Sequence, residues 1–151
     1  MNGSLTPMQV TSTRFGTLDA ADHQLVTIDG GLLGFPDATS FVQLPVDDAE
    51  GWLWLQSTSD RELAFLVISA FRFFPDYDIE LPESDVAALE LEDPADAEVL
   101  ALVTIRYTDA GGVASVTANL LGPLVVNRRT GIGRQVVLPD SQHSTREPVA
   151  G

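Results

Sequence analysis

The feature that most constrains this chain is a succession of short apolar runs, broken by turn residues about every ten positions from Val10 onward. That cadence belongs to a single all-β domain, a small barrel or a split sandwich. The strongest runs are Trp52–Ser57 (W-L-W-L-Q-S) and Leu63–Ser69 (L-A-F-L-V-I-S), joined by the turn Thr58–Glu62. In the first, Trp52, Trp54 and Gln56 share one face while Leu53, Leu55 and Ser57 share the other. Neither face suits water, so this strand is expected at the centre of a sheet. The second run is apolar on both faces, which requires a closed or two-layered arrangement.

Around these strands the chain reads in order. Residues 1–9 form a leader without periodicity, 10–140 one domain, and 141–151 a polar tail. Thr11–Leu18 and Gln24–Ile28 are strands around the polar link Asp19–His23. Gly30, Gly31, Gly34, Phe35 and Pro36 form a tight loop; it lacks the G-K-[ST] ending of a phosphate loop. Phe41–Val46 is a strand and Asp47–Gly51 an acidic turn. Phe71–Tyr77 (F-R-F-F-P-D-Y) is aromatic, with Pro75 bending it away from a regular strand and Tyr77, between two aspartates, expected at the surface. One helical turn capped by Ser84 is expected through Leu89, and Asp93-Pro94 reads as an N-cap followed by proline at the first helical position. Val99–Tyr107 and Val113–Leu121 form a hairpin around Asp109–Gly112.

Asn119–Leu138 packs two apolar runs around a turn. Leu124–Asn127 and Gln135–Leu138 are the expected strands, with Pro123 at a strand start or edge. Arg128–Gly133 turns between them, and Arg128, Arg129 and Arg134 are expected at the hairpin tip. These cations face either a carboxylate-bearing partner or the chain's own acidic block.

Charge narrows the functional classes. The chain of 151 residues carries a formal charge of −14, and all eight basic residues are arginine. Eight carboxylates fall within Glu80–Glu98, and no basic residue occurs between Arg72 and Arg106. Such a surface repels nucleic-acid phosphate and anionic membranes, and its natural complement is a basic protein. With no cysteine there is no disulfide framework, thiolate nucleophile or thiolate metal site. Met1–Val10 lacks the basic start and apolar core of a secretory signal, and Leu63–Ile68, the longest apolar run, is far too short to span a membrane. The expected location is the cytoplasm.

Catalytic constellations are not apparent. His23 and His143 both sit in polar, turn-like sequence, G-x-S-x-G is absent, and no H-x-x-x-H or calcium-loop spacing occurs. No metal, cofactor or enzymatic activity is expected. Recognition fits better. The aromatic segment beside the acidic block offers stacking faces and charge, and the arginine-bearing hairpin offers the opposite sign. The candidate partner-binding residues are Trp54, Gln56, Phe74, Asp76, Tyr77, Asn127, Arg128, Arg134 and Gln135. The alternative is a small-ligand barrel or enzyme, which a deep, polar-lined interior would support and a filled interior would oppose.

The blocks G-L-L-G-F-P (Gly31–Pro36), W-L-Q-S (Trp54–Ser57), F-L-V-I-S (Phe65–Ser69), F-F-P-D-Y (Phe73–Tyr77), D-P-A-D-A-E-V-L (Asp93–Leu100), N-L-L-G-P-L-V-V-N (Asn119–Asn127) and G-I-G-R-Q-V-V-L (Gly131–Leu138) occur in order. In that order and spacing the chain resembles the flagellar assembly factor FliW family over about Phe15–Pro148. The resemblance implies a cytoplasmic, non-enzymatic β-barrel-like protein that binds flagellin near its terminal helical regions and the RNA-binding translational repressor CsrA. Accumulated flagellin would occupy it and leave CsrA free to repress; exported flagellin would release it to antagonise CsrA, without occupying the RNA site. The chain departs from the family pattern at Leu33 and Ala70, where proline is expected, and at His143, where tyrosine is expected.

Overall fold

A computed structural model describes residues 9–19, 24–138 and 143–149. Eleven strands lie among them, with two short helices: β1 Gln9–Ser12, β2 Gly16–Asp19, β3 Gln24–Ile28, β4 Ser40–Pro45, β5 Trp52–Ser57, β6 Ala64–Ser69, α1 Ala70–Phe73, α2 Glu83–Ala88, β7 Ala97–Tyr107, β8 Val113–Ala118, β9 Leu124–Asn127, β10 Ile132–Gln135 and β11 Glu147–Pro148. Seven strands close on themselves in the order β7-β6-β5-β4-β3-β10-β9, with β9 returning to β7. The expected barrel or split sandwich is therefore a barrel. β7 makes closure possible through its length. Leu100 pairs with both Ser69 of β6 and Leu124 of β9, while Val103–Tyr107 runs on to pair with β8 outside the ring. One join, β10 to β3, is parallel.

Alternation explains why both faces of these strands are apolar. Val26, Ile28, Phe41, Leu55, Val67, Leu100, Leu124 and Val126 point inward and are completely buried. Each stabilises the fold by about 1.5–3 kcal/mol relative to exposure. The interior is filled by side chains, which opposes the ligand-barrel alternative. Outside, two covers protect the opposite face. The β1–β2 hairpin lies over β4 and β5, burying Val10, Val42 and Leu44 with Phe15, Leu18 and Trp54 around them. Segment 70–96 lies over the other side, where Ile68, Leu89, Val99, Ala101, Val125 and Val136 are buried. β5, between β4 and β6, is central as expected.

Several boundaries differ from expectation for local reasons. Thr11–Leu18 is not one strand: the Ser12 hydroxyl accepts the backbone N–H of Arg14 and Phe15 at 3.1 and 3.0 Å, turning the chain into a β1–β2 hairpin. The aromatic segment is not merely bent, since Ala70–Phe73 forms a helical turn. Pro82, rather than Ser84, sits at the N-cap of α2, and no side chain caps it. Asp93 does cap the 3₁₀ turn Pro94–Asp96, accepting Ala95 N–H at 2.9 Å. β8 stops at Ala118 rather than Leu121. The last arginine-bearing strand starts at Ile132 rather than Gln135, because positive φ at Gly131 completes the turn there. Val136 and Leu138 instead donate to Pro123 and Leu121 carbonyls. Of the expected leader, Gln9 opens β1 and residues 1–8 lie outside the described residues. The polar tail contributes β11, which pairs with β8; residues 139–142, 150 and 151 lie outside the description, as does most of the Asp19–His23 link.

Candidate partner-binding surface

The structure disperses the sequence-predicted site residues and buries several of them. Gln56 is wholly buried under the β1–β2 hairpin. Its Oε1 accepts the Ser12 hydroxyl at 2.7 Å, and its Nε2 faces the carbonyls of Ser57, Asp60 and Leu63 at 3.1, 3.2 and 3.1 Å. It thus ties the hairpin to the β5–β6 turn and presents nothing to a partner. Its neighbour Trp54 is half-buried, packs against Phe15, and carries the Arg14 guanidinium 4.4 Å above its ring.

Asn127 is also wholly buried. Its Nδ2 donates to the carbonyls of Leu89 and Glu90 at 3.0 and 3.2 Å, and its Oδ1 accepts Arg129 N–H at 2.9 Å. Those carbonyls end α2, where the chain reverses with Glu90 at φ 53°. Asn127 therefore pins α2 to the barrel wall. Tyr77, expected at the surface, is 6% exposed, and its hydroxyl donates to Leu120 O at 2.6 Å. Burial pushes its pKa up to about 12, because the phenolate would lose its hydration. Phe74 is half-buried beside it, Asp76 is exposed, and the His143 ring meets Tyr77 edge-on at 4.6 Å. Phe74, Asp76, Tyr77 and His143 line one shallow hollow with Leu120.

The arginines divide. Arg129 reaches Glu92 and Asp96, each at 3.1 Å. Arg134 lies along β10 rather than at a tip, 3.1 Å from Asp85 of α2 and 3.8 Å from Asp29. Both face the protein's own acidic block. Arg128 is exposed, and among the described residues its side chain has no ion-pair partner. Gln135 joins two loops: its Oε1 accepts Leu33 N–H at 2.8 Å and its Nε2 donates to Gly122 O at 2.9 Å.

The acidic run Glu80–Glu98, read from the sequence only for its charge, also carries apolar side chains that the fold gathers together. Ile79, Leu81, Val86 and Leu91, spaced among the carboxylates, turn toward β7 and line a cleft of about 620 Å³. Ala97, Val99, Phe71 and Pro94 complete its apolar lining, and Glu80, Glu92 and Asp93, all exposed, line it as well. The interruption of an acidic run by apolar residues every few positions was the available signal. Among the described residues no group of three or more metal-ligating side chains converges, and no helix is long and apolar enough to cross a membrane.

Comparison with known proteins agrees with this architecture. A family model described as "FliW protein" matches residues 9–149. A protein named "Flagellar assembly factor FliW" from Desulfitobacterium hafniense (strain DSM 10664 / DCB-2) is 38% identical over 92% of this chain and 89% of its own length. Similarly named proteins of Bacillus licheniformis and Bacillus subtilis are 38% and 35% identical, over 95% and 90% of this chain and 98% and 92% of their own lengths. A solved structure described as "Crystal structure of the flagellar assembly factor FliW" superposes with a TM-score of 0.80 at 26% identity, covering 93% of this chain and 95% of that one. With the match running from β1 to the residue after β11, the chain belongs to the FliW family of flagellar assembly factors.

Proposed function

We propose that this protein is a cytoplasmic, non-enzymatic binding protein that engages both flagellin and the translational regulator CsrA, and that it antagonises CsrA repression of flagellin synthesis when flagellin leaves it free. The observation that carries the reading is the acidic cover 80–98, which mounts a largely apolar cleft, with Glu80, Glu92 and Asp93 among its lining residues, on a filled barrel. A basic RNA-binding protein is steered to such a field, and amphipathic flagellin helices find apolar area within it. Neither nucleic acid nor an anionic membrane is a direct partner, because a chain of net charge −14 repels both.

Calorimetry with purified CsrA and with purified flagellin, singly and in competition, tests the proposal. Binding to each at micromolar concentration or below, with flagellin relieving the inhibition of CsrA, is expected. Binding to neither removes the proposal. Affinity for CsrA should fall steeply between low and high salt, since the Debye length shrinks from about 30 Å at 0.01 M to about 3 Å at 1 M.

A further inference from the structure

We propose that the hollow where the β1–β2 turn meets the β5–β6 turn binds one peptide carboxylate, from an acidic side chain or a chain terminus, between Arg14 and Arg61. It lies at the β1–β2 hairpin, on the other side of the barrel from segment 70–96, and does not rest on the binding role proposed above. Thr13, Arg14, Gln56, Arg61, Glu62 and Ala64 line a volume of about 360 Å³. That is the lower end of the range for ligand sites.

The Arg14 guanidinium is stacked 4.4 Å above the Trp54 ring, which Phe15 meets edge-on at 5.9 Å. Stacking engages the guanidinium's face and leaves the N–H groups around its edge free to donate. Arg72, Arg129 and Arg134 each pair with a carboxylate, but among the described residues Arg14 and Arg61 do not, on a chain that has 22. The carboxylates nearest Arg61 in sequence are Asp60 and Glu62, and Asp60 Oδ1 instead accepts Glu62 N–H at 3.0 Å. Two cations thus share one hollow without a counter-ion. Their turns are already tied together. Thr13 N–H donates to Arg61 O at 2.8 Å, and Gln56 bridges the Ser12 hydroxyl to Asp60 O at 2.7 and 3.2 Å. Binding therefore orders little backbone, which keeps its entropic cost low.

Charge selects the ligand. Arg14 and Arg61 bring two positive charges and Glu62 one negative, so the lining is left with one positive charge. One carboxylate balances it and fits the planar guanidinium fork. A phosphate dianion would leave excess negative charge beside Glu62. At physiological ionic strength the Debye length is about 8 Å, so these local charges outweigh the acidic cover on the far side of the barrel. Thr13, Arg14, Arg61 and Glu62 are all exposed, which lets the chain bearing the carboxylate run on out of the hollow.

NMR titration of the intact protein tests the site with four probes. Two are acetylated alanine peptides, one with a single glutamate and an amidated end, the other with only its terminal carboxylate. An acetylated, amidated polyalanine without a carboxylate and inorganic phosphate complete the set. Saturable shifts centred on the Trp54 indole and the Arg14 and Arg61 side-chain N–H groups are expected with a carboxylate peptide and not with polyalanine. Which peptide binds more tightly identifies the source of the carboxylate. Affinity should fall by about tenfold or more in Arg14→Gln and in Arg61→Gln. It should hold within about twofold in Arg106→Gln, which removes the same charge from an exposed position on β7. Arg14→Lys should rescue little, because lysine keeps the charge and loses the fork. Amide spectra establish that each variant is folded; Arg61→Gln keeps the backbone bond to Thr13 and decides the matter if Arg14→Gln unfolds. Absence of saturable shifts, phosphate binding as tightly as the peptides, or an equal loss in Arg106→Gln overturns the site.

Discussion

Asn127→Ala separates a structural clamp from a partner contact. The substitution removes two donated hydrogen bonds and one accepted bond. The Leu89 carbonyl belongs to a residue with no accessible surface, so it becomes an orphaned acceptor. That costs about 1–3 kcal/mol, against about 0.5–1.5 kcal/mol for each bond whose partner can turn to water. The Glu90 carbonyl and the Arg129 N–H lie in part-buried bonds and fall in the second class. A total loss of about 2–6 kcal/mol follows from these magnitudes. Urea unfolding followed by tryptophan fluorescence measures it, with an unchanged slope expected because the barrel itself stays closed. Asn127→Asp should be worse still, since it turns a second acceptor toward the two carbonyls. A loss below about 1 kcal/mol in the alanine variant, coupled with weaker partner binding, would refute the clamp and return Asn127 to a partner surface.

Other substitutions have outcomes of similar clarity. Tyr77→Phe should cost about 1–2 kcal/mol by leaving the Leu120 carbonyl unpaired, measured by the same unfolding curve. Because the folded pKa of Tyr77 is raised to about 12 from 10.0, its contribution is complete below pH 10 and is lost as pH rises toward 12; the Phe variant should lack that alkaline loss. Arg134→Glu should lower stability by about 1–2 kcal/mol, between the values for exposed and buried pairs, because Asp85 is only 14% accessible. Arg128→Glu should change stability by less than about 0.5 kcal/mol, so any loss of binding there reports on contact alone. Gly131→Ala should cost at least about 2 kcal/mol in a thermal melt, since φ is 78° and a Cβ would overlap the Leu25 carbonyl.

The outcomes at β5 and at Asn119–Leu138 show where local reading succeeds. Trp52–Ser57 and Gln24–Ile28 have the same bounds in sequence and structure, because alternation and flanking turns are properties of neighbouring residues. Asp93-Pro94 was legible for the same reason, a cap acting within three residues. Gly131 placed a turn correctly, yet β10 shifted toward it because Leu124–Val126 offered partners to Gly133–Gln135 and not to Val136–Leu138. The candidate surface fared differently. Acidic residues and aromatics marked the segment that carries the cleft, but the cleft depends on α2 folding back over β7, which no local pattern encodes.

By itself the amino-acid order determined an all-β chain with doubly apolar central strands, a strongly acidic surface and the family to which it belongs. Those follow from side-chain period, charge and residue blocks, all readable along one dimension. Tertiary structure alone decided that the sheet closes through β7, that the tail adds a strand to β8, and that Gln56, Tyr77 and Asn127 are interior fasteners. Their partners, Ser12, Leu120 and Leu89, lie 44, 43 and 38 positions away. A polar side chain is a surface group or a buried clamp according to whether such a distant donor or acceptor is folded against it, and only the closed barrel with its two covers brings those atoms within hydrogen-bonding distance.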